Sequence, residues 1–154
     1  MPNKISLARA RALLAQAVAL RGRDFVYLRQ SAPFSSACFY QPVTDQLLLD
    51  QGYVYVVDEA RVLPDDDPRR SHSCIAGFTL ELGGEFRQRE HEGEAVSSFD
   101  GSSELGGPTL LTPRAAQYLR RAQSVQDSGG TAGLAYDNAE TFANSPFSKD
   151  YPDV

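Results

Sequence analysis

The sequence predicts an α+β fold, in which a small antiparallel sheet is packed by an N-terminal helix, a short central helix and a C-terminal helical hairpin. Residues 5–22 and 111–126 show helical periodicity, and the stretch between them is richer in aromatic and β-branched residues, which are typical of strands. With 154 residues, 42% of them hydrophobic, the chain is long enough to bury one core. We therefore expect one domain over residues 1–143 and a loosely attached tail over residues 144–154.

The first helix is predicted over residues 5–22. Ser6 is placed to cap its N-terminus, Ile5 can act as a hydrophobic staple, and Gly22 can end the helix with a positive φ angle. Apolar residues recur at helical spacing and predict one buried stripe: Leu7, Ala10, Leu14, Ala17 and Val18. The arginines at positions 9, 11, 21 and 23 are interpreted as a solvated face.

Four short segments predict the strands of the sheet. Residues 24–29 and 37–40 are rich in aromatic and β-branched residues, and residues 46–49 and 53–57 flank a turn that contains a glycine. A two-run hairpin of this kind favours antiparallel pairing, so the sheet is expected to hold three or four antiparallel strands.

The remaining helices are predicted from their start and stop signals. A short helix begins at Cys74 and ends at the glycine pair 83–84, and Thr112 with Pro113 predicts the start of a helix over residues 111–126. Thr131 caps a last helix after a tight connection. The predicted buried positions of these two helices are Ala115, Ala116, Leu119, Ala122 and Val125, then Ala132, Leu134, Ala135, Ala139 and Phe142.

Cys74, on the first turn of the central helix, is the candidate nucleophile. A helix N-terminus favours the thiolate form of a cysteine. Catalysis also requires a base, for which the two histidines of the chain, His72 and His91, are the candidates. The alternative is a cysteine that packs as a small apolar residue, and we favour it because free cysteine is among the most buried residue types.

Composition disfavours several function classes. The formal net charge of −5 and the scattered basic pairs argue against nucleic-acid binding. No apolar run has the length of a membrane-spanning helix, and the lack of a targeting segment predicts a cytoplasmic location. The cysteines Cys38 and Cys74 and the two histidines lack the spacing of common zinc sites, so we expect no metal site and no cofactor.

Binding to another protein is the leading functional hypothesis. The chain is acidic, contains long polar segments and shows no complete catalytic set. The residues proposed to contact a partner are Tyr53, Tyr55 and the acidic loop of Asp65, Asp66 and Asp67. These aspartates lack the alternating ligands and central glycine of a calcium loop, which indicates a solvated loop and no metal site.

Several short motifs, in this order along the chain, resemble small uncharacterised proteins of actinobacteria and their phages. They are Arg21–Tyr27, Cys38–Tyr40, Ser73–Gly77, Leu111–Ala116 and Gln126–Gly129. The resemblance implies a phage-type accessory protein and supplies no activity. Combined with the protein-binding hypothesis, which rests on the acidic chain, its long polar segments and the incomplete catalytic set, it leads us to expect a phage protein that modulates a host factor by protein–protein interaction. Compared with that pattern, the segments 41–71 and 84–107 are interpreted as insertions or loops. A cysteine-dependent, hydrolase-like enzyme and a structural or self-assembling phage component are the alternatives.

Overall fold

The computed structural model describes residues 4–25, 74–83 and 110–154. These residues form four α-helices and one 3-10 helix. The helices are α1 (Leu7–Arg21), α2 (Ile75–Leu82), α3 (Pro113–Asp127) and α4 (Ala132–Ala143), and the 3-10 helix spans Pro146–Asp150.

The predicted α+β fold is wrong for this part of the chain. Within the described ranges there is no sheet, and strand-like pairing is confined to an isolated parallel bridge between Ile5 and Leu111. The helices pack on one another: α3 and α4 form a hairpin, and α1 contacts α2, α3 and α4. Their apolar stripes are therefore buried by other helices, where the sequence analysis expected a sheet.

The predicted strand at residues 24–29 illustrates the reason. Asp24 lies in a turn, and the partly buried ring of Phe25 packs against the helical core. The carbonyl of Phe25 accepts the amide N–H of Ala132 at 2.8 Å, so this backbone group caps α4. Strand propensity is a weak prior that tertiary contacts override. Residues 26–29 of this predicted strand and the other three predicted strands lie outside the described residues.

The prediction of α1 is confirmed at both ends. The Ser6 hydroxyl accepts the amide N–H of Arg9 at 3.3 Å. Gly22 has a φ of +95°, and its N–H donates to the carbonyl of Val18 at 2.7 Å. The buried face of the helix comprises Ala10, Leu13, Leu14, Ala17 and Val18. These residues place one side of α1 in the core and leave the other in solvent.

The predictions of α2, α3 and α4 are also confirmed. α2 begins directly after Cys74, and Thr112 and Thr131 cap α3 and α4 with side-chain oxygens that each accept an amide N–H at 3.2 Å. Three predicted core positions differ. Leu7 of α1 and Val125 of α3 are only partly buried, and Leu134 of α4 is 58% exposed.

The segment 144–154, which was expected to be loosely attached, makes several hydrogen bonds to the helices. The Oδ1 atom of Asp153 accepts the N–H of Leu7 at 2.9 Å and the hydroxyl of Thr112 at 2.7 Å. The ring of Tyr151 lies 6.1 Å from the ring of Phe142, measured between centroids. The segment therefore connects the N-terminal ends of α1 and α3.

Candidate functional site

Cys74 lies at the N-terminal end of α2, in the core of the helical unit. Its side chain is 0% exposed, and its Sγ atom accepts the amide N–H of Gly77 at 3.1 Å. This contact makes the sulfur the capping group of the helix. Burial and capping favour the packing interpretation of this cysteine, because a reactive thiol needs access to its substrate.

The backbone N–H groups beside Cys74 are already bound by α3. The amide of Ile75 donates to the side-chain oxygen of Gln126 at 2.6 Å, and the amide of Ala76 donates to that of Gln123 at 3.3 Å. Both glutamines are buried. An anionic reaction intermediate would need such N–H groups as donors. Because the glutamine oxygens occupy them, this helix start has no donors to offer a substrate.

A shallow apolar groove runs between α1 and α4 on the surface. It has a volume of about 420 Å³. The residues that line it are Ala15, Val18, Ala19, Gly22, Arg23 and Tyr136. Leu20 of α1 and Leu134 of α4 are 62% and 58% exposed on the same two helices. We call this feature the α1–α4 groove.

An arginine–carboxylate pair stands near each end of the α1–α4 groove. Near the start of α1, the Nε atom of Arg11 lies 2.8 Å from Oε2 of Glu140. After the end of α1, the side chain of Arg23 pairs with Asp137. The backbone carbonyl of Arg23 also accepts the N–H of Gly133 at 2.9 Å. These contacts hold the two helices antiparallel and set the width of the groove.

Two tyrosines adjoin the Arg11–Glu140 pair and differ in their hydrogen bonding. The hydroxyl of Tyr136 donates to Oε1 of Glu140 at 2.8 Å, and this hydrogen bond raises the pKa of Tyr136. Tyr118 is fully buried, and its hydroxyl makes no hydrogen bond of acceptable geometry within the described ranges. Burial raises the pKa of Tyr118, and the nearby Glu140 carboxylate adds to the increase.

We expect Tyr118→Phe to leave the stability at pH 7 unchanged or increased by up to about 1 kcal/mol, because burying a hydroxyl without a partner is unfavourable. Tyr136→Phe should lower it by about 1.5–3 kcal/mol, since that hydroxyl donates to a carboxylate. Because the folded-state pKa of Tyr118 is raised, the folded state loses stability at this residue as the pH rises above about 10, where the unfolded chain releases the hydroxyl proton more easily. Urea unfolding at pH 7 and pH 10.5 tests both points. A Tyr118→Phe variant as alkali-sensitive as the wild type would contradict the second.

The predicted site residues are only partly within reach of the structure. Cys74 is described and buried, whereas His72 and His91 lie outside the described residues. The proposed partner contacts Tyr53, Tyr55, Asp65, Asp66 and Asp67 also lie outside them. The roles assigned to these residues stay predictions.

The sequence analysis missed the α1–α4 groove. It interpreted Arg11 and Arg23 as part of a solvated face. Their side chains are 39% and 57% exposed, and both also pair with carboxylates of α4, which the sequence analysis did not predict. A third arginine of this set, Arg21, lies with its guanidinium carbon 3.8 Å from the ring centroid of Phe78. The sequence contains one indication of these ion pairs: Asp137 and Glu140 are three residues apart and therefore lie on one face of α4. That spacing indicates an ion-pairing face but does not name its partner.

The described residues offer no metal site or membrane-spanning helix, and the sequence has no recognised relative. The described residues hold no group of three or more histidine, cysteine, aspartate or glutamate side chains that could bind a metal ion. In the same part of the chain, no helix has both the length and the apolar character needed to cross a bilayer. No family model, curated protein or solved structure matches the sequence. The resemblance to proteins of actinobacteria and their phages therefore stays a prediction.

Proposed function

We propose that the protein is a helical protein-binding module that receives an apolar segment of its partner in the α1–α4 groove. The observation that carries this proposal is an accessible, mainly apolar groove near two arginine–carboxylate pairs. Recognition of a partner helix or loop by a groove between helices is a recurring mode of protein–protein binding.

The shape and lining of the groove suit an apolar anchor. Ala15, Ala19 and Gly22 have small side chains or none, which allows a partner backbone to approach α1 closely. The volume of about 420 Å³ lies at the lower end of the range for ligand sites and suits one or two large apolar side chains. Tyr136 supplies an aromatic surface of the type enriched at interfaces.

The charges beside the groove would orient the partner. The side chains of Arg23 and Asp137 are more than half exposed, so both can contact polar groups of a partner without leaving their pair. Charged groups at the rim of an interface contribute more to specificity and association rate than to affinity. We therefore expect the apolar lining to supply most of the binding affinity and the ion pairs to orient the partner in the groove.

Blocking the groove tests the proposal. Ala19 is exposed and lines the groove, so Ala19→Arg should fill it without disturbing the core. Ser124→Arg places the same side chain on the exposed face of α3 and serves as the matched control. We expect a partner retained from the native lysate by the wild type and the control to be lost at least about tenfold with Ala19→Arg, the factor that 1.4 kcal/mol of binding free energy represents.

Two outcomes would contradict this function. One is equal retention of the partner by Ala19→Arg and Ser124→Arg, which would place the contact elsewhere. The other is the absence of any specific partner for the wild-type protein. Light scattering on the same samples identifies self-association, in which case the retained partner is a second copy of the chain.

A further inference from the structure

Residues 151–153 bind the starts of two helices and do not line the α1–α4 groove. We call these residues the C-terminal strap. A single carboxylate oxygen, Oδ1 of Asp153, accepts both the Leu7 amide at the start of α1 and the Thr112 hydroxyl at the start of α3. The two donors belong to segments far apart in sequence, so the strap ties two helix starts together.

The same two segments are also paired with each other. The amide of Ile5 donates to the carbonyl of Leu110 at 2.8 Å, and the amide of Thr112 donates to the carbonyl of Ile5 at 3.0 Å. Ile5 and Leu111 are 1% and 0% exposed. The strap and this parallel bridge therefore support one another, because each holds the segment before α1 against the segment before α3.

Arg114 forms the second attachment of the strap. Its amide donates to the carbonyl of Pro152 at 3.0 Å. Its side-chain Nε atom donates to the carbonyls of Ser148 and Tyr151, both at 2.9 Å. Hydrogen bonds from a charged donor are among the stronger ones in proteins. One residue at the start of α3 thus binds three carbonyls of the C-terminal segment.

We propose that the C-terminal strap is a conformational device whose release opens the starts of α1 and α3 as one cooperative unit. Native proteins open locally in such units, at a lower free energy than global unfolding. Opening of this unit breaks the bridge between Ile5 and Leu111 and exposes the side chains of these two residues, which are buried in the structure. The hairpin of α3 and α4 stays folded, since the two helices pack directly on each other and touch the strap only near its attachments, at Arg114 and Phe142.

Residue-resolved amide hydrogen exchange tests the proposal on the full chain. The variants are Asp153→Ala, which removes the carboxylate attachment of the strap, and Arg114→Met, which removes the side-chain hydrogen bonds of the other attachment and keeps the amide hydrogen bond to Pro152. In both variants the amides of Ile5, Leu7 and Thr112 are expected to exchange together, about tenfold faster or more, which is the factor that the loss of one hydrogen bond to a charged group allows. The amides in the middle of α4 should keep their wild-type rates.

The control is Asp150→Ala, because Asp150 is an exposed carboxylate of the same segment. It should leave all of these rates unchanged. Acceleration confined to Leu7 in Asp153→Ala would show a local helix cap and overturn the cooperative unit. Equal acceleration throughout α3 and α4 would show that opening is global, which also overturns it. Asp153→Asn keeps an acceptor oxygen and should produce the same pattern with a smaller acceleration.

Discussion

Replacing both Gln123 and Gln126 with leucine is expected to lower the free energy of unfolding by about 2–6 kcal/mol, because each of the two buried N–H groups left without an acceptor costs about 1–3 kcal/mol. The two donors are the amides of Ile75 and Ala76 at the start of α2. Leucine is similar in size to glutamine, so packing is largely retained and the loss is mainly that of the hydrogen bonds.

Urea unfolding at pH 7 measures this effect. Gln117→Leu is the matched control, since Gln117 is a partly exposed glutamine of the same helix whose oxygen accepts only a 3.5 Å contact from Arg120. The control should stay within about 0.5 kcal/mol of the wild type, as surface substitutions usually do. A double variant as stable as the control would mean that other groups accept the two amides.

The reactivity of Cys74 provides a second readout of the same substitution. In the wild type the thiol is fully buried at the N-terminus of α2, where its sulfur accepts the Gly77 amide. Because the double variant weakens that start, Cys74 should react faster with iodoacetamide, as measured at this residue by mass spectrometry. A rapid reaction of Cys74 in the wild-type protein would instead favour the catalytic hypothesis.

Gly133→Ala is expected to destabilise the protein by about 1–3 kcal/mol, the usual cost of forcing an extra methyl group into a closely packed site. In an exposed helix the same substitution stabilises by about 1 kcal/mol. Here a Cβ atom would lie 2.9 Å from Cβ of Arg23 and 3.0 Å from its carbonyl oxygen. That carbonyl accepts the Gly133 amide, so it cannot move away without breaking a hydrogen bond.

Thermal unfolding gives the sign of the Gly133→Ala effect directly. Leu134→Ala is the control, because the neighbouring side chain is largely exposed and its loss should change stability by about 0.5 kcal/mol or less. An increase in the midpoint temperature of Gly133→Ala would show that the contact between Arg23 and α4 adjusts freely. In that case the width of the α1–α4 groove is not set by this contact.

The helices could be predicted from the sequence because their signals are local. Ser6, Thr112 and Thr131 each cap an amide three residues further along, so the cap and its donor are read from one short stretch. Gly22 ends α1 in the same local way. These signals gave the positions of α1, α3 and α4 to within two residues.

Within the described residues the sheet prediction is wrong, because it rested on composition alone. The sequence of residues 24–29 has the aromatic and β-branched character of a strand. In the structure, however, the carbonyl of Phe25 accepts the amide N–H of Ala132 at the start of α4, and its ring packs against the helical core. Whether a short apolar segment becomes a strand depends on what it packs against, and that information is not in the segment itself.

The candidate site depends on contacts between residues distant in sequence, which local patterns do not reveal. Arg11 and Glu140 are separated by 129 positions, and Gln126 and Ile75 by 51. The sequence correctly marked Cys74 as the residue at the start of α2. It could not show that two glutamines of α3 bind the adjacent amides, because glutamine on a helix is ordinarily a surface residue.

The Asp153–Leu7 hydrogen bond has a consequence for how the protein folds during synthesis. Its two residues are 146 positions apart, and Asp153 follows all the described helices in the chain. The amide of Leu7 therefore has no acceptor in Asp153 until the intervening residues, with all the described helices, have been synthesised. Contacts that close such long loops carry a large entropic cost and slow folding. The first turn of α1 is thus made before the other described helices and is completed after them.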